Sequence, residues 1–467
     1  MLKKKQYIFR TAFLLFIVSC NNIGSYKYEK EIVRKEPIKP LMKDFMGLNV
    51  HLDFKPDLYK PITHLVRNYH PMNWDVASPG DSITFPICVN QVNWDENAYG
   101  KWNKFGYDID VSVEINPFGP KNTNFLEIWK NKEQWEYNYG YKLAKYFGPL
   151  GDHKLITSIE IGNEPGINFT DSIYMELFKS MARGIRSADS TIKIVTCNTH
   201  ATPADEWTKN LNKTFSSQEI RSLFDVISFH SYTIKDPSND YSPWERSYPE
   251  DEKVGSYKNL EAVINWRNSN APDKEIWVTE FGWDAVSDDM MDKREGYFKE
   301  LNWQDVTDLQ QAQYLVRTFL CFSAKDVQRA YIYFYNDKNQ PSVHAASGIT
   351  RNFKPKKSFW AVKHLYKTLG EYRFNKVIEQ KPDSLFIYEY KNENPNGSFI
   401  WVMWIPDSGD TKRFVDLHSL PGKIVDAAVM QTGETQVNKV EWKYIDSNTV
   451  RIENSESPTY IIFKKSN

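Results

Sequence analysis

Short apolar runs alternate with longer amphipathic segments from about Leu41 onwards, and this alternation predicts a parallel α/β fold. The short runs have the length and the β-branched content of buried strands, and the longer segments have the 3.6-residue period of helices. The predicted strands are Phe45–Val50, Leu65–Tyr69, Asp108–Ile115, Thr157–Ile161, Lys193–Cys197, Val226–Phe229, Glu275–Thr279 and Ala330–Phe334.

Helices are predicted between most of these strands and after the last of them. They are Pro56–Leu65, Phe125–Phe147, Ser172–Ser187, Tyr257–Asn268, Leu309–Ala324 and Lys357–Leu369. Eight strands in this alternation are what a (β/α)8 TIM barrel requires, so we predict such a barrel over residues 41–370. Functional residues of these barrels lie at the carboxyl ends of the strands.

The pattern changes after about Tyr372 to short alternating runs with turn residues between them. We expect turns at Pro395-Asn396-Gly397 and Asp407-Ser408-Gly409. The predicted strands are Leu385–Tyr390, Phe399–Trp404, Arg413–Asp416, Ile424–Met430, Val450–Ile452 and Tyr460–Phe463. Residues 371–467 are therefore predicted to form a small antiparallel β-sandwich domain, with packing against the barrel or glycan binding as its role.

The N-terminal residues 1–20 have the pattern of a targeting segment. A basic start precedes the apolar stretch Ala12–Val18, and Ile17-Val18-Ser19-Cys20 resembles a bacterial lipobox. We expect Cys20 to be acylated, with an ordinary secretion signal as the alternative. Residues 21–40 are predicted to be a flexible tether, and no other apolar stretch is long enough to span a bilayer. The expected location is the bacterial cell envelope, at the outer membrane, with membrane contact only through the lipid.

Charge and composition limit the classes of binding partner that are expected for this chain. With 59 basic and 60 acidic residues, the chain has no excess of positive charge, so nucleic acid is not an expected partner. Aromatic residues make up 15%, and they suit either a large core or surfaces that stack on sugar rings. Trp74, Trp94, Trp244 and Trp303 lie in polar, loop-like stretches, while the remaining cysteines (Cys88, Cys197 and Cys321) are predicted to be buried thiols.

Two predicted strands each end in a glutamate. Glu164 follows the fourth strand between Gly162 and Pro165, and Glu280 follows the seventh strand just before Gly282. Since both glutamates are expected at the same end of the barrel, they can work as a pair. One carboxyl that donates a proton and one that attacks the sugar are what a retaining glycosidase needs.

With these motifs in place, residues 41–370 resemble glycoside hydrolase clan A, whose members have an Asn-Glu pair after the fourth strand and a second Glu after the seventh. The resemblance implies that Glu164 is the acid/base, that Glu280 is the nucleophile and that Asn163 binds the sugar 2-hydroxyl. Families 39 and 5 of this clan also have a C-terminal β-domain, but the motifs do not select one family.

The resemblance also implies a set of supporting residues. Arg67 on the second strand would keep Glu280 ionised, Tyr232 after the sixth strand would donate a hydrogen bond to Glu280, and His230 would line the site. Each of these also suits a packing role. Further candidates at strand ends are His51, Asn116, Asn198, Thr199, His200 and Trp283, together with Tyr335 as the aromatic residue beneath the sugar ring.

The expected function is retaining hydrolysis of a β-linked polysaccharide or oligosaccharide by double displacement, with endo action favoured by the long aromatic loops. This mechanism needs no metal or other cofactor. The alternatives are a non-catalytic glycan-binding protein on the same barrel, an exo-acting β-glycosidase and a transglycosylase. Components of a glycan-uptake system are expected as possible partners.

Overall fold

Eight parallel strands form a closed barrel in the computed structural model of this chain. Their order around the barrel follows the sequence, and pairing of the last strand with the first closes it. We label them β1 Met46–Val50, β2 Leu65–Pro71, β3 Asp108–Glu114, β4 Ser158–Ile161, β5 Lys193–His200, β6 Val226–Ser231, β7 Glu275–Phe281 and β8 Arg329–Ile332. The predicted (β/α)8 barrel is therefore confirmed.

The structure describes residues 38–465 except 116–117, 119–124, 167–168, 203–206, 236–244, 292, 294, 297–298, 300–302, 342, 383, 394–397, 410 and 436–437. The predicted signal peptide, Cys20, most of the tether, Asn116, Trp244 and the predicted turn at Pro395–Gly397 lie outside the described residues. Among the residues described, no helix has both the length and the apolar character to cross a membrane. The other three cysteines are free and buried.

Within the part of the chain that the structure describes, five long helices surround the barrel: α1 Glu133–Phe147, α2 Asp171–Ala188, α3 Ser256–Asn270, α4 Asp308–Ala324 and α5 Lys357–Leu369. The remaining helical segments are single turns: Met42–Phe45, Pro56–Tyr59, Met72–Asp75, Asp95–Tyr99, Gly100–Asn103, Phe125–Trp129, Leu211–Thr214, Gln218–Arg221 and Asp288–Met290. The helix predicted over Phe125–Phe147 is interrupted because Asn131 adopts a left-handed φ of 55°. The helix predicted from Pro56 ends at Tyr59, just before Pro61, which cannot continue a helix.

The interior of the barrel is built in layers. An apolar layer consists of Leu65, Val195, Val226, Trp277 and Tyr331, contributed by five different strands. On the carboxyl side of this layer the inward-facing residues are polar, including Asn49, Arg67, Glu160 and Thr279, which are linked by hydrogen bonds. The barrel is thus packed with apolar side chains on one side and offers buried polar side chains where its strands end.

Two antiparallel sheets follow the barrel. Their strands are β9 Tyr372–Lys381, β10 Leu385–Asn392, β11 Phe399–Trp404, β12 Lys412–His418, β13 Gly422–Val429, β14 Trp442–Tyr444, β15 Thr449–Ser455 and β16 Thr459–Lys465. One sheet has the order β9-β10-β11-β16-β13 and the other β12-β15-β14. Residues of both sheets, among them Trp401 and Ile461 of the first and Leu417 and Ile452 of the second, share one apolar cluster. Two of these strands were not predicted from the sequence: β9 is long but has no buried residue, and β14 has only 3 residues.

The first of these sheets packs against α4 and the loop before α3 through buried polar contacts. Glu250 accepts hydrogen bonds from Arg317 Nε at 2.9 Å and from Trp404 Nε1 at 2.7 Å. Tyr390 Oη lies 2.8 Å from Ser323 Oγ of α4. The described residues all belong to one compact unit, so the division into two domains near residue 370 stays a prediction.

Candidate active site

Glu164 is directed to the carboxyl end of the barrel by the turn that follows β4. Gly162 has a φ of 85°, a left-handed conformation in which side-chain-bearing residues are strained. A Cβ at this position would also lie 3.3 Å from Ile115 Cδ1, closer than ordinary van der Waals contact. Glycine therefore allows the chain to turn sharply here, and the turn places Asn163 and Glu164 over the barrel opening.

A β-bulge turns Glu280 into the barrel. Side chains alternate along a strand, so Thr279, which faces inward, should be followed by an outward residue. The pairing of β7 with β6 instead shifts by one position between Val278 and Glu280. As a result Glu280 also faces inward, and Phe281 points outward to the Phe319 ring of α4. A bulge beside a functional residue commonly redirects a side chain in this way.

The two glutamates meet above the barrel interior. A carboxylate oxygen of Glu164 and one of Glu280 lie within 4.8 Å of each other. The side chain of Glu280 is 6% exposed, whereas that of Glu164 is 28% exposed. The pair is therefore asymmetric, with one buried carboxyl group and one that can exchange protons with solvent.

Glu280 is surrounded by hydrogen-bond donors. Its Oε1 accepts from Tyr69 Oη at 2.6 Å and from Arg67 Nη1 at 3.0 Å, and its Oε2 accepts from Tyr232 Oη at 2.7 Å. Burial by itself would raise the pKa of Glu280. The charges of His230 and Arg67, with the two tyrosine hydroxyls, outweigh burial and lower this pKa well below the ordinary value. Glu280 is thus held in its ionised form.

Arg67 links the layers below the site. Its guanidinium is fully buried and donates to both oxygens of Glu160 at 2.8 Å, in a two-pronged ion pair. It also donates to Asn49 Oδ1 and to Asn163 Oδ1, each at 2.8 Å, besides Glu280. Because Asn163 accepts with its oxygen, its amide nitrogen is left to donate, and no described residue accepts from it.

His230 lies between the two glutamates. Its Nδ1 is 2.7 Å from Glu164 Oε1 and 3.5 Å from Glu280 Oε2. Its backbone N–H donates to Asn198 Oδ1 of β5 at 2.9 Å, which fixes the end of β6. Burial tends to lower the pKa of His230, but the charge of Glu280 and the hydrogen bond to Glu164 raise it above the ordinary value. The two carboxyl groups therefore favour the charged form of the imidazole.

Two adjoining cavities open around Glu164. The first, here the central cavity, has a volume of about 380 Å³ and contains both glutamates; its walls are His51, Leu52, Tyr69, Pro71, Trp74, Glu114, Asn163, Glu164, Tyr232, Glu280, Tyr333 and His344. The second, here the lateral cavity, has a volume of about 430 Å³ and is lined by Glu164, Asn198, His200, Trp207, Thr208, Phe229, His230, Tyr232, Ile234, Val254, Ser256, Asn259 and His344. Glu164 borders both cavities, and Glu280 borders only the central one.

Trp283 and Tyr335, which were proposed from the sequence, do not reach either cavity. Trp283 is 2% exposed, packs against Tyr314 and donates from Nε1 to the Ser247 carbonyl at 2.7 Å, so it belongs to the core. Tyr335 is 3% exposed, and its hydroxyl donates to Asp53. Both were expected to bind substrate, and their burial in apolar packing corrects that expectation.

The aromatic residue at the end of β8 that faces the central cavity is Tyr333. It belongs to the same run of aromatic residues, Tyr331–Tyr335, and the sequence does not distinguish which of them faces the opening. Among the loop tryptophans, Trp74 borders the central cavity, while Trp94 and Trp303 are fully buried. Of the other strand-end candidates, His51 borders the central cavity, Asn198 and His200 border the lateral one, and Thr199 is buried with its hydroxyl on the Ser228 carbonyl.

Sequence reasoning missed His344, which borders both cavities. It lies in the loop after β8 and has a left-handed φ of 66°. Its Nδ1 lies 3.2 Å from Arg246 Nη2, and because arginine only donates, the imidazole proton is on Nε2. Burial, with the charge of Arg246, lowers the pKa of His344 to about 4, so the ring is a neutral donor. No periodic pattern in the sequence singles out this loop residue.

Within the described residues, one group has metal-ligand spacing: Glu164, His230 and Glu280, with ligand atoms within 4.8 Å of one another. The surroundings of these three side chains do not suit a bound metal ion. Glu280 already faces the Arg67 guanidinium at 3.0 Å, and His230 Nδ1 is engaged with Glu164. A metal ion here would approach a buried positive charge and replace hydrogen bonds that are already formed.

Several solved structures of glycoside hydrolases have a fold similar to that of this chain. No protein-family sequence model and no curated protein sequence matches the chain. A solved family 39 glycoside hydrolase from Bacteroides cellulosilyticus WH2 superposes with a TM-score of 0.63 at 15% identity, over 91% of this chain and 81% of that one. A glucosidase from Croceicoccus marinus gives 0.59 at 13% identity, over 92% and 98%. A GH30 endoxylanase from Clostridium papyrosolvens C71 gives 0.54 at 12% identity, over 91% and 97%. At these identities the similarity shows a common fold.

Proposed function

We propose that this protein is a retaining β-glycoside hydrolase, with Glu280 as the nucleophile and Glu164 as the acid/base. The observation that supports this most strongly is the separation of at most 4.8 Å between oxygens of the two carboxyl groups. Carboxyl groups of retaining enzymes are about 5–5.5 Å apart, whereas those of inverting enzymes are roughly 6.5–9.5 Å apart to admit a water molecule. The fold shared with solved glycoside hydrolases is consistent with this proposal.

The environments of the two glutamates suggest their roles. A nucleophile must be ionised, and Glu280 has an adjacent arginine and two tyrosine hydroxyls that favour its charged form. An acid/base must release one proton and take up another in each cycle. Glu164 has the more exposed carboxyl group, and its one hydrogen-bond partner among the described residues is His230.

The proposed reaction has two displacements. A Glu280 oxygen attacks the anomeric carbon as the bond from that carbon to the leaving oxygen breaks, and Glu164 gives its proton to that oxygen. The product of this step is a glycosyl ester on Glu280. Glu164, now a carboxylate, removes a proton from water, and the water oxygen displaces Glu280 from the anomeric carbon. The sugar leaves with its original configuration, and both glutamates return to their starting states.

The two cavities favour a substrate with sugar units on both sides of the broken bond. The central cavity borders nucleophile and acid, so the sugar that is attacked belongs there. Of the two glutamates, only Glu164 borders the lateral cavity, so this cavity is a suitable place for the leaving group. We therefore propose a β-linked polysaccharide or oligosaccharide as the substrate, with endo cleavage. Larger oligosaccharides among the first products support endo action, and monosaccharide alone would contradict it.

A reducing-sugar screen of residues 21–467 against β-linked polysaccharides tests the proposed activity. Glu164→Gln and Glu280→Gln are compared with Glu219→Gln, an exposed glutamate outside both cavities. We expect activity in the wild type and in the Glu219 variant and its loss in the other two. Binding of glycan by all four proteins without hydrolysis would favour the alternative of a non-catalytic binding protein, and longer products than substrates would favour a transglycosylase.

We also propose that Cys20 anchors the protein by lipid in the bacterial envelope, at the outer membrane, where components of a glycan-uptake system are potential partners. The basis is the lipobox-like sequence Ile17–Cys20. Metabolic labelling with a clickable palmitate, followed by membrane fractionation, tests the anchor. Labelling that is lost in Cys20→Ser supports it, and an unlabelled wild-type protein in the soluble fraction would contradict it.

A further inference from the structure

A third carboxyl group in the central cavity has no place in the reaction described above. Glu114 ends β3 and borders the cavity together with Glu164 and Glu280. No described residue forms a hydrogen bond or ion pair with its carboxyl group. Burial raises the pKa of Glu114 to about 7 against the opposing charge of Arg67. A carboxyl group that lines a cavity and has no hydrogen-bond partner in the protein is available to accept hydrogen bonds from a ligand.

The cations near the central cavity are already committed. The Arg67 guanidinium is buried and bonded to Glu160 and Glu280. Arg246 lies behind His344, where its Nη2 is 3.2 Å from an oxygen of Asp284. The described walls of the cavity thus contain three carboxyl groups and no positively charged side chain that is available to a ligand.

The histidines do not supply such a charge either. Burial lowers the pKa of His51 and of His344, so both rings are neutral near pH 7. His230 has a raised pKa, but its Nδ1 is directed at Glu164 and Glu280. An anionic group on the bound sugar would face the carboxyl groups of Glu114, Glu164 and Glu280, and the described walls offer it no positively charged side chain that is not already paired.

We propose that the central cavity accepts an uncharged glycosyl unit, that Glu114 binds hydroxyl groups of that unit, and that sugars bearing carboxylate or sulfate are rejected. This inference rests on the proposed function, because it assigns the attacked sugar to the central cavity. Hydroxyl groups are donors, and a carboxylate accepts from two of them. Glu114 is therefore a specificity-determining residue of this cavity.

Matched pairs of substrates test the charge preference. The 4-nitrophenyl β-glucoside and β-glucuronide differ only at C6, and neutral β-linked polymers (xylan, glucomannan and laminarin) are compared with anionic polymers that contain β linkages (alginate, hyaluronan and chondroitin sulfate). We expect hydrolysis of neutral substrates only. Hydrolysis confined to anionic substrates overturns this inference and leaves the glycosidase proposal intact, whereas hydrolysis of neither group contradicts the glycosidase proposal itself.

Variants at Glu114 test the residue. Glu114→Ala is expected to lower kcat/KM on the best neutral substrate at least tenfold, chiefly through KM, because the hydrogen bonds between the sugar hydroxyls and the Glu114 carboxyl group are lost. Glu114→Gln keeps a hydrogen-bond acceptor, so its kcat/KM should fall less than that of Glu114→Ala. Because the carboxyl group is removed, the ratio of kcat/KM for glucoside to that for glucuronide should also decrease. Unfolding curves check that both variants are folded. A kcat/KM for a folded Glu114→Ala within twofold of wild type overturns the assignment, and Glu219→Gln is the matched control.

Discussion

Nδ1 of His230 lies 2.7 Å from Oε1 of Glu164, so one imidazole nitrogen binds the candidate acid/base directly. The same nitrogen is 3.5 Å from Oε2 of the candidate nucleophile, Glu280. His230 therefore affects both partners of the proposed reaction: it orients Glu164 by a hydrogen bond and lowers the pKa of Glu280 by its charge.

Replacing His230 should change the pH dependence of the reaction. In His230→Asn the cation beside Glu280 is lost, so the lowered pKa of Glu280 rises towards the ordinary value and less nucleophile is ionised at low pH. We expect the acid limb of the kcat/KM profile to move to higher pH by about one unit. His153→Asn, an exposed histidine outside both cavities, is the control. An acid limb that does not move would contradict this electrostatic role.

The hydroxyl of Tyr232 should contribute directly to the rate. It donates to Glu280 Oε2 at 2.7 Å, while the ring lies against the Arg246 guanidinium at 4.7 Å. Tyr232→Phe keeps the ring and removes the donor. A bond to a charged acceptor is worth about 1.5–3 kcal/mol, so we expect kcat/KM to fall roughly 10- to 100-fold. The comparison is with Tyr141→Phe at the surface, and a change of less than twofold would show that the bond is dispensable.

Arg67 should be required for stability as well as activity. Removing it leaves Glu160, which is fully buried and whose pKa burial raises to about 7, without its ion-pair partner. Breaking a buried pair in this way costs about 3–5 kcal/mol, so Arg67→Met should unfold at clearly lower denaturant concentration. The double variant Arg67→Met/Glu160→Gln should recover part of the stability and none of the activity. Recovered activity would show that Glu280 does not need the guanidinium.

A buried glutamate of α1 makes stability depend on pH. Glu136 is 2% exposed, and burial raises its pKa from 4.5 to about 8, with Ser180 partly opposing. Between these two values the folded protein holds a proton that the unfolded chain has lost, so this contribution to stability is complete below pH 4.5 and disappears as the pH rises through about 8.

Glu136→Gln lacks this dependence. We expect it to match the wild type at about pH 5 and to exceed it by at least about 1.4 kcal/mol, the value of one pKa unit, at about pH 9. Urea unfolding at the two pH values measures the difference. Equal curves for the two proteins at the higher pH would be incompatible with a raised pKa at Glu136.

The barrel could be predicted from the sequence because its strands are short apolar runs that are separated by amphipathic helices. The sequence also predicted that Glu164, Glu280, Arg67 and Tyr232 lie at the same end of the barrel. They meet there because the strand ends of a closed barrel converge. The sequence did not separate Tyr333 from Tyr335, because their surroundings come from other parts of the chain: Tyr333 borders the central cavity, whereas the Tyr335 hydroxyl donates to Asp53.

Two other features also depend on tertiary structure. The inward direction of Glu280 requires a β-bulge that strand alternation does not predict. His344 comes from a loop after β8, and in the structure its Nδ1 lies 3.2 Å from Arg246 Nη2, a contact between residues 98 positions apart in the sequence.

Azide rescue of the two glutamate variants tests the central claim most directly. With an activated β-glycoside of the sugar that the wild type releases, azide replaces the missing nucleophile in Glu280→Gly and attacks the face opposite the leaving group. The predicted product is the α-glycosyl azide. In Glu164→Gly, azide instead attacks the glycosyl ester on Glu280, and the predicted product is the β-glycosyl azide. The same azide anomer from both variants, or the reverse assignment, would contradict the roles given to Glu164 and Glu280.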